Sequence, residues 1–457
     1  MKATVILAKL RSFRACACLL AGTAALVAIG AMTRTTQKGL VAHEWGTFTS
    51  VQGSDGVLLD WRPLQTSRLP GFVYDWSKPG LNRRPAGPST FSKVGMITLQ
   101  RMETPVIYFY SDSDRTVDVS VEFPKGLITE WYPQAAQIGP ATVPVTSAVA
   151  MLDNYAHKAG AKPAFTFASL LSRPVFKDSR AHWANIEIKP ARQNNALAAS
   201  LSSDHSGSHY FSARGTDADF LQVKSLVATN PAPETEKFIF YRGAGSFATP
   251  LLLTAAADGS ITVVNTGSEL LKDLFVLSVQ NRAGSFTRLE QLAPSERRII
   301  KLETASQTAP VDALSGRLGR EMADALAAAG LYRREAEAMV KTWHDSWFQE
   351  DGVRVLYILP REWTDRTLPL TIDPAPREVV RVMVGRAEVI TPAVEKQLSD
   401  FLTKAGQGDP KAREDVLVQF RKMGRFAEPG LRLAAKNLPL QANQTAWALL
   451  QASTNPL

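Results

Sequence analysis

Arg115-Thr116-Val117-Asp118-Val119-Ser120-Val121-Glu122-Phe123 alternates apolar and polar side chains without a break. Successive side chains of a strand point to opposite faces, so the three valines and Phe123 share one face, and Thr116, Asp118, Ser120 and Glu122 share the other. A strand with one face in a core and one toward water sets the expected fold class as mainly β. Pro105-Val106-Ile107-Tyr108-Phe109-Tyr110 reads as a second strand. Ser111-Asp112-Ser113-Asp114 between them has the composition of a turn, so the two are expected to pair as a hairpin.

Farther along, Lys237–Tyr241, Pro250–Thr254, Ser260–Val264, Leu274–Val279 and Glu296–Leu302 are short β-type runs, punctuated by Asp258-Gly259, Asn265-Thr266-Gly267-Ser268 and Asn281-Arg282-Ala283-Gly284. This spacing predicts a β-sandwich over 236–306. The tail Leu292-Ala293-Pro294-Ser295-Glu296 resembles that of immunoglobulin-like modules, a likeness of architecture and not of activity. Together with 33–235, a β-rich N-terminal domain with an irregular insert over about 140–233, it makes the β part of the chain. Inside the insert, 147–159 is expected to be helical, Trp183–Ile188 a strand and Ala191–Ser208 a loop or lid.

After Gln307 the pattern changes. Leu314, Leu318, Met322 and Leu326 fall at helical spacing before the stop signal Gly330, and Met339, Trp343 and Trp347 share the core face of a second helix. Val353–Leu359 and Val379–Val384 return to strand character, so 307–390 is a mixed α+β region. From Thr391 the chain is helical, with Thr391-Pro392 and Asp409-Pro410 each an N-cap followed by proline at the first helical position. Within 391–457, the run Val416–Ala434 resembles one unit of a HEAT-like helical repeat.

At the other end, Lys2, Lys9, Arg11 and Arg14 precede an apolar run from Ala15 to Met32. A basic start, an apolar stretch and small residues near Ala28-Ile29-Gly30-Ala31 are the pattern of an export signal. Residues 1–32 are therefore expected to be a signal peptide, or an anchor where uncleaved, and the protein extracytoplasmic, periplasmic or secreted. Membrane contact is then confined to that segment. Cys16 and Cys18, the only cysteines of the 457 residues, lie inside it. A chain beginning near Ala31 has no thiol for a disulfide, a nucleophile or a Cys-ligated metal. The 45% hydrophobic and 21% charged composition excludes a disordered or multi-span membrane protein, and the formal charge of +9, spread without a Lys/Arg block, excludes nucleic acid as a partner.

No Walker loop, Gly-x-Ser-x-Gly, His-Glu-x-x-His or dinucleotide fingerprint is present. The candidate site is distributed. His43, Glu44, Glu103 and His209 are the candidate catalytic residues. His43, His205, His209 and Glu103 are a ligand set of imidazole and carboxylate that suits a divalent metal. Strand geometry limits both sets: His43 and Glu44 point to opposite faces, so His43 shares a face with Trp45 and needs partners from far along the chain. His205 and His209 come together only if the chain turns at Gly207.

Trp45, Tyr210, Arg214, Asp217, Tyr241 and Arg242 are the candidate binding residues. Glu44-Trp45, Glu130-Trp131 and Glu362-Trp363 pair a carboxylate with an aromatic ring, which is what contact with a glycan needs. The arginine–aspartate neighbours in Trp363-Thr364-Asp365-Arg366, and Tyr241-Arg242, are expected to be structural.

His43-Glu44-Trp45-Gly46-Thr47-Phe48, Glu103–Phe109, Ala213–Ala218 and Phe240–Gly243 together resemble a group of uncharacterised exported bacterial proteins that share the His-Glu-Trp-Gly-Thr-Phe motif. That resemblance implies export and no particular activity. Two functions follow as expectations: a hydrolase-like enzyme with a His/carboxylate site, or a non-catalytic protein that binds an envelope protein or a glycan.

Overall fold

The computed structural model describes residues 37–64, 69–75, 97–139, 178–204, 207–224, 232–302 and 308–454. The expected leader over 1–32, the expected helix over 147–159 and about half of the irregular insert lie outside them. The chain is mainly β, 42% strand and 32% helix, with several sheets and a helical C-terminal region.

Ten strands make one central sheet. Its order is Ala309–Pro310 (β16), Ala283–Leu292 (β14), Leu271–Gln280 (β13), Gly352–Leu359 (β17), Pro376–Val389 (β19), Gln37–Gln52 (β1), Gln100–Ser111 (β3), Ile239–Gly245 (β10), Gly126–Tyr132 (β5) and Tyr74–Asp75 (β2). The His-Glu-Trp-Gly-Thr-Phe motif lies on β1, in the middle. There β1 pairs in parallel with β19 and antiparallel with β3. The boundaries expected near 235 and 306 cut through this sheet, which takes strands from all three segments.

Both faces of such a sheet must be covered, because its strands alternate two sets of apolar side chains. One face packs on two smaller sheets. The first is Leu251–Ala255 (β11), Ser260–Asn265 (β12) and Arg297–Lys301 (β15); the second is Leu370–Asp373 (β18), Arg115–Phe123 (β4), Ser179–Lys189 (β7), Phe220–Val223 (β8) and Glu234–Glu236 (β9), with Gln137–Gly139 (β6) on β7. Phe48, Ile107, Trp131 and Tyr241 from the central sheet meet Val119, Val121, Phe123 and Trp183 in that core. The alternating run that opened the sequence therefore forms its strand, with Val117, Val119, Val121 and Phe123 buried. It does not form the expected hairpin: β3 pairs with β1 and β10, whereas β4 pairs with β18 and β7. At the corner Asp219 accepts hydrogen bonds from the backbone N–H groups of Ser111 (2.6 Å) and Ala191 (2.8 Å), so the chain crosses from one layer to the other.

The other face is covered by two helices, Val311–Ala328 (α1) and Arg333–Phe348 (α2), whose Leu314, Leu318, Met322, Leu326, Met339 and Trp347 pack on Trp45, Tyr108, Phe275 and Leu356. Trp343 and Trp347 are 8% and 0% exposed, core residues as their spacing predicted. A short helix over Arg361–Thr367 (α3) follows β17. The C-terminal region is four helices, Pro392–Gly406 (α4), Pro410–Met423 (α5), Ala427–Ala434 (α6) and Leu440–Thr454 (α7), around Leu398, Leu402, Val416, Phe420 and Leu431. The Thr391 side chain accepts the Val394 N–H, and Asp409 accepts those of Lys411 and Ala412, as the two Pro-flanked caps predicted. Phe426 and Leu433 dock this region on Val51, Trp61 and Ile390 at the end of β1. Among the described residues no helix is long and apolar enough to cross a membrane.

Gly46 has a specific reason to be glycine. The β1·β3 register slips between Trp45 and Thr47, and a Cβ on Gly46 would lie 2.9 Å from Pro105 Cα and 3.0 Å from Met383 Sδ. Three strands close on that point with no room for a side chain.

Candidate functional site

Alternation along β1 sends His43 and Glu44 to opposite faces, as strand geometry required. Each meets partners from hundreds of residues away. On the helical face, His43 Nδ1 donates to Glu335 Oε2 at 2.7 Å, because an ionised carboxylate can only accept. The pair is 1% and 0% exposed. Glu335 stands in the first turn of α2, where its Oε2 also accepts the Tyr332 N–H (2.8 Å), while Oε1 accepts the Tyr110 hydroxyl (2.7 Å). The start of a helix favours a carboxylate through its free N–H groups and its dipole. Tyr332, 46% exposed, lays its ring 4.3 Å from the imidazole, and Tyr110 contacts it edge-on at 5.5 Å. His43 is thus fixed at Nδ1 by a carboxylate that is itself fixed, with one half-exposed ring beside it.

On the opposite face Glu44 accepts hydrogen bonds from Arg381 Nε and from the Tyr241 hydroxyl, with all three side chains buried. Arg381 continues to Asp365, 2.8 Å away and half-exposed. Burial pushes the Tyr241 hydroxyl well above its ordinary range, and the Glu44 charge adds to it. Burial would lower the Arg381 guanidinium, but Glu44 and Tyr241 outweigh it and hold it protonated.

The far end of β1 carries a belt of buried charge on the helical side of the sheet. The register sets Thr49 opposite Arg101 on β3 and Arg386 on β19, Thr47 opposite Glu103, and Arg354 on β17 opposite Glu388. Arg354 donates to Glu388 (3.1 Å) and to the backbone oxygens of Trp347 and Glu350 (3.1 and 2.6 Å). Arg386 donates to Glu350 (2.7 Å) and Glu388 (2.9 Å), and Arg425 reaches down from the C-terminal region to Glu103 (2.8 Å). Arg242 and Glu130 pair beside them at 2.7 Å.

Of the expected catalytic and metal-binding residues that are described, His43 alone enters a His/carboxylate pair, and its partner is Glu335 rather than Glu44, Glu103 or His209. Glu103 stands between Arg101 and Arg425, an environment that repels a cation. His209 is exposed on a short 3₁₀ turn and has no hydrogen bond or ring contact with His43; His205 lies outside the described residues. Among the described residues no group of three His, Cys, Asp or Glu side chains is placed to hold a metal ion.

Of the expected binding residues, Trp45, Tyr210, Tyr241 and Arg242 are buried at 3% exposure or less. Arg214 and Tyr210 both bind Glu236, at 2.6 and 2.8 Å, and exposed Asp217 pairs with Arg334. A glycan has no ring to stack on at Trp45 or Trp131, both 0% exposed, because both rings fill cores. Asp365 and Arg242 sit in ion pairs, as expected.

Glu335, Tyr110, Arg381 and the belt arginines were not singled out by the sequence. The belt had a signal: Arg101-Met102-Glu103 and Arg386-Ala387-Glu388 place opposite charges two apart inside strands, which puts them on one face of an otherwise apolar element.

The belt predicts acid sensitivity. Burial raises the Glu103 carboxyl, but Arg101 and Arg425, helped by Thr49 and Arg386, bring it down to about 2 from an ordinary 4.5. A carboxylate depressed in the folded state stabilises fully above its unfolded value and loses that contribution as pH falls through the folded one. Between pH 5 and pH 2 this residue should therefore withdraw roughly 3 kcal/mol. Urea unfolding followed by tryptophan fluorescence at stepped pH should show that fall, and Glu103→Gln should flatten it.

No protein-family model matches the chain, and no curated protein matches it. Among solved structures, the yeast delta-COP-I mu-homology domain complexed with Dsl1 WxWxV peptide is similar over 78% of this chain and 100% of that chain, at 7% identity and a TM-score of 0.25, a likeness too distant to carry an argument.

Proposed function

We propose that the chain is an exported, hydrolase-like enzyme in which His43 is the general base. The observation that carries the reading is the 2.7 Å bond from His43 Nδ1 to a buried Glu335 that is itself held by Tyr110 and Tyr332. A carboxylate on Nδ1 fixes the tautomer and orientation of the ring and leaves Nε2 as the nitrogen that takes a proton from water. Tyr332 is the part of this arrangement that reaches solvent, a half-exposed ring tilted against the imidazole. Export rests on the basic and apolar pattern of residues 1–32.

Two architectural readings accompany it. The segment 236–306 is read as immunoglobulin-like, supported by a core in which Leu253, Ile261 and Val263 meet Leu274, Val276 and Leu292. The α5–α6 pair is read as HEAT-like, supported by two helices joined through Gly424–Phe426.

A second reading, a non-catalytic envelope protein that binds another protein, is favoured by the burial of the His43 imidazole itself, 1% exposed. Turnover separates the two. Across chromogenic esters, amides, phosphoesters and glycosides, the enzyme reading expects hydrolysis that falls by about 10²–10⁴ in His43→Gln and by a smaller factor in Glu335→Gln. Hydrolysis that survives intact in a folded His43→Gln protein, or none at all across the panel, would leave the second reading standing.

A further inference from the structure

The buried belt is short of negative charge. Among the described residues, Arg101, Arg354, Arg386 and Arg425 face Glu103, Glu350 and Glu388, so four guanidiniums meet three carboxylates, and the adjoining Arg242–Glu130 pair neutralises itself. The excess is matched by unused donors. Arg101 Nε, Arg386 Nη1, Arg425 Nε and Thr47 Oγ1 are buried atoms without a hydrogen-bond partner. Arg101 and Arg386 are 5% and 1% exposed, and Arg101 Nε stands 3.7 Å from Glu103, beyond hydrogen-bond reach. Buried donors without acceptors are costly, and unpaired guanidinium donors above all, so several in one place call for an acceptor.

Their positions converge. Arg101 and Arg386 lie on the strands flanking β1, both opposite Thr49, which sets their backbones about 10 Å apart at the usual strand spacing. Thr47 is two residues along on the same face. Arg425 comes from the C-terminal region above: the Phe426 ring lies 5.1 Å from its guanidinium carbon and 5.3 Å from that of Arg386. Donors thus arrive from the sheet floor, from both flanks and from the roof. The Glu350 side chain, 41% exposed, is where the belt reaches solvent.

We infer that this end of the sheet binds a tetrahedral oxyanion, a phosphate or sulfate group, between Arg101, Arg386, Arg425 and Thr47. Guanidinium groups match such anions in geometry and charge, and a tetrahedral acceptor, unlike a planar carboxylate, offers oxygens to donors from several directions. Burial, with Arg242 and Arg425 close by, brings the Arg101 guanidinium down to about 10 although Glu103 opposes it, the behaviour of a cation whose compensation is incomplete. The site is separate from His43, which lies four residues or about 13 Å back along β1 from Thr47 at the usual strand rise. One of its ligands, Arg425, belongs to the C-terminal helices, so the anion also clamps that region to the sheet.

The test is calorimetric titration of the purified, phosphate-free protein with inorganic phosphate and, separately, sulfate, at millimolar concentration against chloride of equal ionic strength. One-to-one binding of phosphate, of sulfate or of both, with a thermal midpoint that rises with the logarithm of anion concentration, is the expected result. Arg425→Gln should weaken binding by about tenfold or more, and Thr47→Val by a few-fold. Thr47→Val removes a hydroxyl without a partner and keeps every charge, so it carries the test where Arg425→Gln fails to fold. Absence of stoichiometric binding of either anion, or binding unchanged in both variants, would overturn the assignment.

Discussion

Arg381→Met should lower the stability of this protein by about 3–5 kcal/mol, because it leaves the Glu44 carboxyl buried in a core without its cation and with only the Tyr241 hydroxyl as a partner. Glu44 is 0% exposed and the Arg381 side chain 1%, so water cannot replace the guanidinium. The pair as a whole should be worth far less than that loss, since ordering two charges out of water costs nearly what their attraction returns. Glu44→Leu combined with Arg381→Met should therefore recover most of the stability, and adding Tyr241→Phe should recover more by removing the last unpaired hydroxyl. Urea midpoints for the two single variants, the double and the triple form a cycle that checks this. Additive losses would mean that Glu44 and Arg381 do not act as a pair.

What could be read from the sequence was local. The alternation of Arg115–Phe123, the spacing of Leu314, Leu318, Met322 and Leu326, and the capping pairs at Thr391 and Asp409 each depend on a few neighbouring residues, and each forms as its pattern dictates. Strand partners are different, because a half-buried strand presents the same edge to any neighbour. β3 and β4 adjoin in sequence with turn residues between them, yet they enter different sheets once Asp219 holds the corner. Nor does the sequence say that β1 will lie against β19, more than 300 residues later. The candidate site failed for the same reason: His43 was identifiable as a base in need of a distant carboxylate, but Glu335, at the start of a helix, looks like any other first-turn acid. The tryptophans misled because a ring beside a glutamate is equally at home on a sugar or in a core, and burial, which separates the two cases, is a property of the folded sheet.

The position of β19 makes the second large prediction. A chain ending at Ala375 should not fold, although most of the central sheet's strands lie before that point. β19 is not an edge: it sits between β17 and β1, and its loss strips both of their ladders in the middle of the sheet. It also removes Val382, Met383 and Val384 from the cores on either face, takes Arg381 from Glu44, and takes Glu388 from Arg354. Two unpaired central edges and two stranded buried charges exceed the roughly 5–15 kcal/mol that a domain has to lose. A chain ending at Ile390 keeps every strand. It should fold with reduced stability, since Val51 and Trp61 lose Phe426 and Leu433 and Glu103 loses Arg425. Circular dichroism and urea titration of the two truncations should give a cooperative transition for the longer and none for the shorter. A cooperative transition in the chain ending at Ala375 would mean that β1 and its neighbours fold independently of β19 and everything after it.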